Sequence, residues 1–217
     1  MKAGEVRKLL NSGFKTIMLN KLGFKKWKYG YVKETSNGTY YKFSFSYACY
    51  DTCFPTTFIY GIGLSKVTKI FKKIMPEDFV APEHEYPNIL TLGQIELFES
   101  KKFPVFKYNI YSEDDINKMV SEVSAYFINE ALPYLESISS IEKLEQITNN
   151  ELNPHKSSTG LLLAKLVNSP NYENLKSQYR ALLKDWPEWD KRELEKVVEF
   201  LDNHSQEELL KIAENPA

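Results

Sequence analysis

The stretch "TYYKFSFSYAC", residues 39–49, alternates apolar and polar side chains with a period of two. One face of this pattern carries Tyr41, Phe43, Phe45, Tyr47 and Cys49. Strict alternation is typical of a half-buried β-strand. Just before it, Asn37-Gly38 is the dipeptide best suited to a two-residue hairpin turn. The stretch therefore predicts a strand that enters from a hairpin and faces helices with its aromatic side.

The elements around this strand predict an α+β fold. Residues 4–22 have the apolar spacing of a helix, which Gly23 is expected to end. Residues 56–63 form a further strand, residues 65–75 a helix with Ser65 as its cap, and residues 88–98 and 103–111 two more strand candidates. Ser112 and Asp115 form a capping box that opens a long helix.

The rest of the chain reads as helical. A short helix follows near 140–150, and amphipathic segments lie near 160–168, 171–185 and 187–202. The stretch 151–160 is the best linker candidate. The sequence thus predicts an antiparallel sheet meander packed with helices in a first domain, residues 1–150. A helical extension, residues 151–217, packs on it or stands apart.

Charge is distributed very unevenly along the chain. Residues 1–76 hold 14 Lys and Arg against 3 Asp and Glu, and residues 77–217 hold 14 against 26. Such asymmetry fits a basic face for an anionic partner, an acidic face for a basic partner, or oppositely charged segments packed on one another. We expect the third in part, with acidic helices after residue 112 near the basic helices at 4–22 and 65–75.

Cys49 and Cys53 are the only cysteines and stand four residues apart. A zinc site needs about four ligands, usually in two close pairs, and His84, His155 and His204 are single and widely spaced. We predict that the cysteines are structural residues at a strand end and bind no metal. No metal ligands and no cofactor are assigned.

The region Gly61–Lys73 is the candidate for binding phosphate. "GIGLSK" passes from a strand through Gly61 and Gly63 to a helix start that carries lysines, where backbone N–H groups can hold an anion. The dinucleotide fingerprint would require a glycine where Lys66 stands. A nucleotide- or phosphate-handling enzyme that uses this region remains an alternative, beside glycines that permit close packing of strand and helix.

Nucleic-acid binding is a second alternative. In "KKWKYGY", residues 25–31, three lysines alternate with Trp27, Tyr29 and Tyr31, and the helix at 65–75 adds a lysine face. Stacking together with phosphate neutralisation holds single strands. The same alternation is typical of any amphipathic strand, so the pattern favours a solvated face and makes nucleic acid the less favoured partner.

The chain lacks the short motifs of several enzyme classes. It has no G-x-S-x-G elbow and no H-E-x-x-H, and "EHE" at 83–85 would need further ligands to hold a metal. No catalytic residue is assigned, and the pattern favours a non-enzymatic role. Trp186 and Trp189, in "DWPEWD", either wedge between helices or anchor a partner.

The chain resembles a group of uncharacterised bacterial α+β domains in the order of its segments. These are a helix, "LNKLGFKKWKYGYVKE", an alternating strand, "FIYGIGLSKVTKIF" and "INEALPYLESISSIEKLEQI". The resemblance covers roughly residues 5–150. It implies a protein-interaction module of immunity-like type. No secretory segment and no run of about 18 apolar residues is apparent. We therefore expect a cytoplasmic binding module with a protein partner and no membrane association.

Overall fold

The computed structural model describes residues 1–28, 30–79, 87–92 and 107–214. Within them the chain is α+β, as predicted, and contains an antiparallel sheet and helices. The strands are β1 (Lys25–Trp27), β2 (Gly30–Glu34), β3 (Thr39–Tyr47), β4 (Phe54–Leu64), β5 (Leu90–Leu92) and β6 (Lys107–Ile110). Their order is β1-β2-β3-β4-β5, and β6 pairs antiparallel with β4.

The helices are α1 (Ala3–Lys15), α2 (Ser65–Ile74), α3 (Glu113–Tyr126), α4 (Leu132–Ser137), α5 (Ile141–Glu151), α6 (Ser157–Leu166), α7 (Tyr172–Leu182), α8 (Glu188–Asp202) and α9 (Gln206–Glu214). Two turns of π-helix, Thr16–Lys21 and Phe127–Ala131, extend α1 and α3. The second lies just before Pro133, which has no N–H to donate and which α4 accepts in its first turn.

Two compact units divide the chain. One comprises Met1–Ile62 and Thr91–Ser137, and the other comprises Gly63–Leu90 and Ile138–Ala217. This division differs from the predicted boundary at residue 150, because α5 packs on α6. The expected linker at 151–160 is instead a short connection in which Asn153 caps a 3₁₀ turn, Pro154–Lys156, that leads directly into α6.

The first unit has its core where the aromatic face of β3 meets α1. Phe14 of α1 packs against Phe43 and Phe45, with ring centroids 4.9 and 5.7 Å apart. The Tyr47 hydroxyl donates to the Ala3 carbonyl oxygen at 3.2 Å. The predicted strand and the orientation of its aromatic face are thus confirmed. Tyr41 and Phe43 are buried and Phe45 and Tyr47 are half-buried. This set favours one register, because a shift by one residue would move all four side chains to the other face of the sheet.

The turn before β3 differs in form from the prediction. It spans residues 35–38, with hydrogen bonds from Gly38 N–H to Thr35 and from Thr35 N–H to Thr39, and only Gly38 has a positive φ, at 80°. The Asn37 side-chain oxygen accepts from the Thr35 hydroxyl and the Thr39 N–H. Asn37 therefore acts through its side chain and does not need the left-handed conformation of a two-residue turn.

Of the predicted helix caps, two form as expected and one does not. Gly23 has φ of 70° at the end of the first helical segment, and the Ser112–Asp115 capping box forms. Ser65 does not cap α2, because Leu64 occupies the N-cap position without a side-chain hydrogen bond. The helix α9 was not expected, since nine residues give a weak periodic pattern. The strands β5 and β6 fall within the strand candidates at 88–98 and 103–111, and residues 93–98 and 103–106 of these candidates lie outside the described residues.

Basic and acidic helices pack together inside each unit, as expected. In the first unit α1 lies against α3. The Val120 side chain of α3 packs so closely on Gly13 that a Cβ at this position would lie 2.8 Å from it. In the second unit α2 lies against α8 and α9. There the Lys69 ammonium donates to the Ala213 carbonyl oxygen, 2.9 Å away, near the end of α9. A cation at a helix C-terminus interacts favourably with the helix dipole.

Candidate functional site

A pocket of about 710 Å³ opens in the first unit between α1 and the β1–β2–β3 strands. We call it the basic pocket, because its lining includes the cations Arg7, Lys15, Lys26 and Lys28. The remaining lining residues are Asn11, Leu19, Gly30, Tyr31, Ser44, Phe45, Ser46, Tyr47 and Ile59. Among the described residues, no Asp or Glu lines it. Its volume lies in the range of ligand-binding sites.

Local structure places the cations around one opening. Arg7, Asn11 and Lys15 recur at intervals of four along α1 and so share one helix face. Lys26 lies opposite Tyr31 in β2, which lies opposite Phe43 in β3, so Lys26 points to the sheet face that α1 covers. The helix and the strand therefore direct their charges toward the same space.

Lys26 is held in place by two contacts. Its ammonium donates to Asn11 Oδ1 at 2.7 Å and lies 4.4 Å from the centre of the Tyr31 ring. The Tyr31 hydroxyl in turn donates to the Asn11 backbone carbonyl oxygen at 3.1 Å. Burial, and then the nearby Arg7 guanidinium, lower the pKa of Lys26. An anion between Arg7 and Lys26 would relieve this repulsion.

The aromatic side chains of the pocket are already engaged in packing. The Lys26 ammonium covers the ring of Tyr31. Phe45 packs against Phe14 and Phe58, and Tyr47 contacts the Phe54 ring at a centroid distance of 6.3 Å. A ring that packs in this way offers little surface for a stacked base. The pocket therefore fits an anionic group better than a row of nucleic-acid bases.

Gly30 sets how closely β2 approaches β3 at the pocket. A Cβ at this position would meet the Phe43 carbonyl oxygen and would lie 2.9 Å from the Ser44 Cα. Both neighbours belong to the backbone, so neither can move without disturbing the ladder. Glycine is thus required for close approach here, a role that the sequence signals only as one glycine in an aromatic strand.

The sequence-based candidates fall into different places. Lys26, Lys28 and Tyr31 of the "KKWKYGY" segment line the basic pocket, whereas Tyr29 lies outside the described residues. Trp27 points to the opposite sheet face, where the Lys42 ammonium lies 4.6 Å from its ring centre. Arg7 and Lys15 were not linked to this segment by the sequence. The signal that could have linked them is the spacing of four residues on the polar face of α1.

The Gly61–Lys73 region has no phosphate-binding loop. Gly61 and Gly63 are buried residues of β4 itself, and α2 begins at Ser65 without an intervening loop. Lys69 uses its ammonium at the end of α9. An anion cradle needs backbone N–H groups that point out of a turn, and an extended strand does not present them in that way.

The cysteines lie in the β3–β4 connection rather than in the strand. β3 ends at Tyr47, so the prediction that Cys49 continues its apolar face is wrong, and Cys49 is exposed while Cys53 is half-buried. Two backbone hydrogen bonds close this connection: the Ala48 N–H donates to the Pro55 carbonyl oxygen, and the Tyr50 N–H donates to the Cys53 carbonyl oxygen. In the described ranges no three His, Cys, Asp or Glu residues gather in a metal-binding arrangement. The "EHE" segment lies outside them.

The two C-terminal tryptophans have separate environments. Trp186 is half-buried against the His155 ring, with centroids 4.5 Å apart. Trp189, in the first turn of α8, is 61% exposed. Trp189 therefore does not wedge between helices, because the first turn of α8 presents it outward.

The second unit contains buried polar contacts that bind its helices together. The Tyr179 hydroxyl donates to Asn149 Oδ1 at 2.9 Å, and Asn149 Nδ2 donates to the Gly160 carbonyl oxygen at 3.1 Å. A Cβ at Gly160 would collide with both side chains. These buried contacts join α5, α6 and α7 and therefore hold the helices of this unit together.

Comparison with protein families, curated proteins and solved structures finds no match for this chain. None of the helices in the described ranges combines the length and apolar character needed to cross a bilayer.

Proposed function

We propose that this protein is a non-enzymatic binding module that takes an acidic segment of a protein partner into the basic pocket. One observation carries the proposal: Arg7 and Lys26 converge on a ligand-sized pocket whose described lining contains no carboxylate. Two positive charges that are held close together repel each other, and a carboxylate bound between them would offset this repulsion. An immunity-like role, in which the module binds and blocks a partner protein, is one form of this proposal.

A protein partner accounts for the pocket better than nucleic acid does. Single strands are held by aromatic faces that stack on successive bases. Here the rings of Tyr31 and Phe45 are taken up by Lys26 and by the core. The carboxylates of an acidic segment need only hydrogen-bond donors and positive charge, which Arg7, Asn11 and Lys26 supply.

The test measures binding of defined probes at near-physiological salt. The probes are a fluorescent peptide in which Glu alternates with Val, a matched peptide in which Lys replaces Glu, and a single-stranded oligonucleotide. The Arg7→Ala/Lys26→Ala variant removes two pocket cations. We expect it to weaken binding of the Glu peptide about tenfold or more, since two exposed ion pairs contribute up to about 1 kcal/mol each.

Lys8→Ala/Lys33→Ala is the matched control, because it removes the same charge from α1 and β2 at positions outside the pocket lining. It should leave the affinity for the Glu peptide within about twofold. Equal losses in the two variants would show that net charge alone attracts the peptide. Tighter binding of the oligonucleotide than of the Glu peptide would replace the proposed partner with nucleic acid.

A further inference from the structure

We infer that the partner segment binds as an added β-strand along the edge of β3 at Ser44–Tyr47. This inference rests on the proposed function and specifies how the acidic segment is held. Four consecutive residues of β3 line the pocket, namely Ser44, Phe45, Ser46 and Tyr47. A pocket on a sheet face meets only alternate residues of a strand, because successive side chains point to opposite faces. The basic pocket therefore opens on the edge of β3.

The backbone groups at this edge point in a known direction. The Ala48 N–H donates to the Pro55 carbonyl oxygen, toward β4, at 3.0 Å. The Ser46 hydroxyl lies 3.0 Å from the Thr57 hydroxyl, which places Ser46 opposite β4 in the same phase. Because backbone direction alternates along a strand, the N–H and C=O groups of Phe45 and Tyr47 point away from β4 and toward the pocket.

Among the described residues, β2 pairs with only part of this edge. Its pairing with β3 runs from Glu34 opposite Tyr40 to Gly30 opposite Ser44, and β3 continues to Tyr47 beyond the last pair formed by the described residues. An edge of this kind is a template for another chain. Strand addition uses such backbone groups for affinity and the flanking side chains for specificity.

The cations of the basic pocket determine which kind of strand would bind at this edge. A strand beside Phe45 and Tyr47 would direct every second side chain to the face that α1 covers, where Arg7 and Lys26 lie. Acidic residues at alternate positions would meet these cations, and the residues between them would point to the other face. The partner segment is thus an extended stretch with Asp or Glu at every second position.

The experiment uses the full chain and two backbone-methylated versions of the peptide in which Glu alternates with Val. One version carries N-methyl groups on the Glu residues, and the other carries them on the Val residues. Only one of the two sets has its N–H groups directed at β3. We expect one methylated peptide to bind about tenfold or more weakly than the parent, and the other to bind within about threefold of it.

A second experiment measures amide hydrogen exchange at the edge of β3. On addition of the parent peptide, amide hydrogen exchange should slow about tenfold or more at Phe45 and Tyr47, while exchange at Ser46 stays unchanged. Equal affinities of the two methylated peptides, whether both bind or both fail, would overturn strand addition. If binding of the parent peptide still depended on Arg7 and Lys26, that result would leave the proposed function standing. If binding of the parent peptide did not depend on Arg7 and Lys26, the proposed function itself would be wrong.

Discussion

Lys26 of β1 donates a 2.7 Å hydrogen bond from its ammonium to the side-chain oxygen of Asn11 on α1. The bond joins the helix to the sheet at the wall of the basic pocket. Asn11 is a neutral acceptor at a place where a carboxylate would neutralise Lys26. The described lining of the pocket therefore keeps a net positive charge.

Replacing Asn11 by Asp supplies this carboxylate from within. We expect Asn11→Asp to raise the pKa of Lys26 and to stabilise the first unit by up to about 1 kcal/mol, because the new ion pair is partly exposed. The same change should weaken binding of the Glu peptide about tenfold. Chemical denaturation followed by α1 and β3 amide exchange measures the stability, and fluorescence anisotropy measures the affinity.

Ser12→Asp is the control for this change, because Ser12 is the next residue along α1, is exposed and does not line the pocket. It adds the same charge to the same helix and should leave the affinity for the peptide within about twofold. Equal effects of the two substitutions would contradict a local role of Asn11.

The aromatic core should be sensitive at Phe43. Its side chain is fully buried and contacts the rings of Phe14 and Phe127 at centroid distances of 4.9 and 5.1 Å. Phe43→Ala is expected to lower the free energy of unfolding of the first unit by about 3–5 kcal/mol through lost burial and a cavity. Tyr50→Ala, at a side chain that is 63% exposed, should change it by less than about 0.5 kcal/mol. Amide exchange in β3 distinguishes the two variants, and similar protection in both would refute the core assignment.

The second unit should depend on Asp202. This carboxylate accepts from the buried Lys176 ammonium at 2.9 Å and from the Tyr172 hydroxyl at 3.0 Å. Asp202→Asn is expected to lower the free energy of unfolding by about 1.5–3 kcal/mol, the usual range for hydrogen bonds to a charged group. Glu195→Gln breaks only the exposed pair with Arg180, so about 1 kcal/mol or less should be lost. Denaturant unfolding of both variants makes the comparison, and a larger loss for Glu195→Gln would contradict the prediction.

Stability should fall at alkaline pH. Burial, and then the charge of Glu130, raise the pKa of Tyr126 from 10.0 to about 12. A folded-state pKa above the unfolded value means that the contribution is fully present below about pH 10 and is lost as pH rises to about 12. Tyr126→Phe should flatten the decline of the free energy of unfolding across this range. The same decline in Tyr126→Phe as in the original protein would show that other groups dominate.

Periodicity in the sequence determined the elements near the site. The alternation at 39–49 predicted β3, and the spacing at 4–22 predicted α1 together with its buried Val6, Leu10 and Phe14. Such patterns work because burial selects every second residue of a strand and every third or fourth residue of a helix. Caps and turns were less exact at Ser65 and Asn37, because several neighbouring side chains can satisfy the same backbone groups.

Tertiary structure alone decided which residues share the pocket. Arg7 and Lys26 are 19 positions apart, and their convergence depends on the angle at which α1 crosses the sheet, which packing of Phe14 on Phe43 and of Gly13 on Val120 helps to set. How far β3 extends past its partner depends on where β2 begins, and among the described residues their pairing ends at Gly30 opposite Ser44. The sequence contains the charges, the strands and the helices as local patterns. A pocket is a non-local arrangement, because its geometry depends on packing between segments that no local pattern encodes.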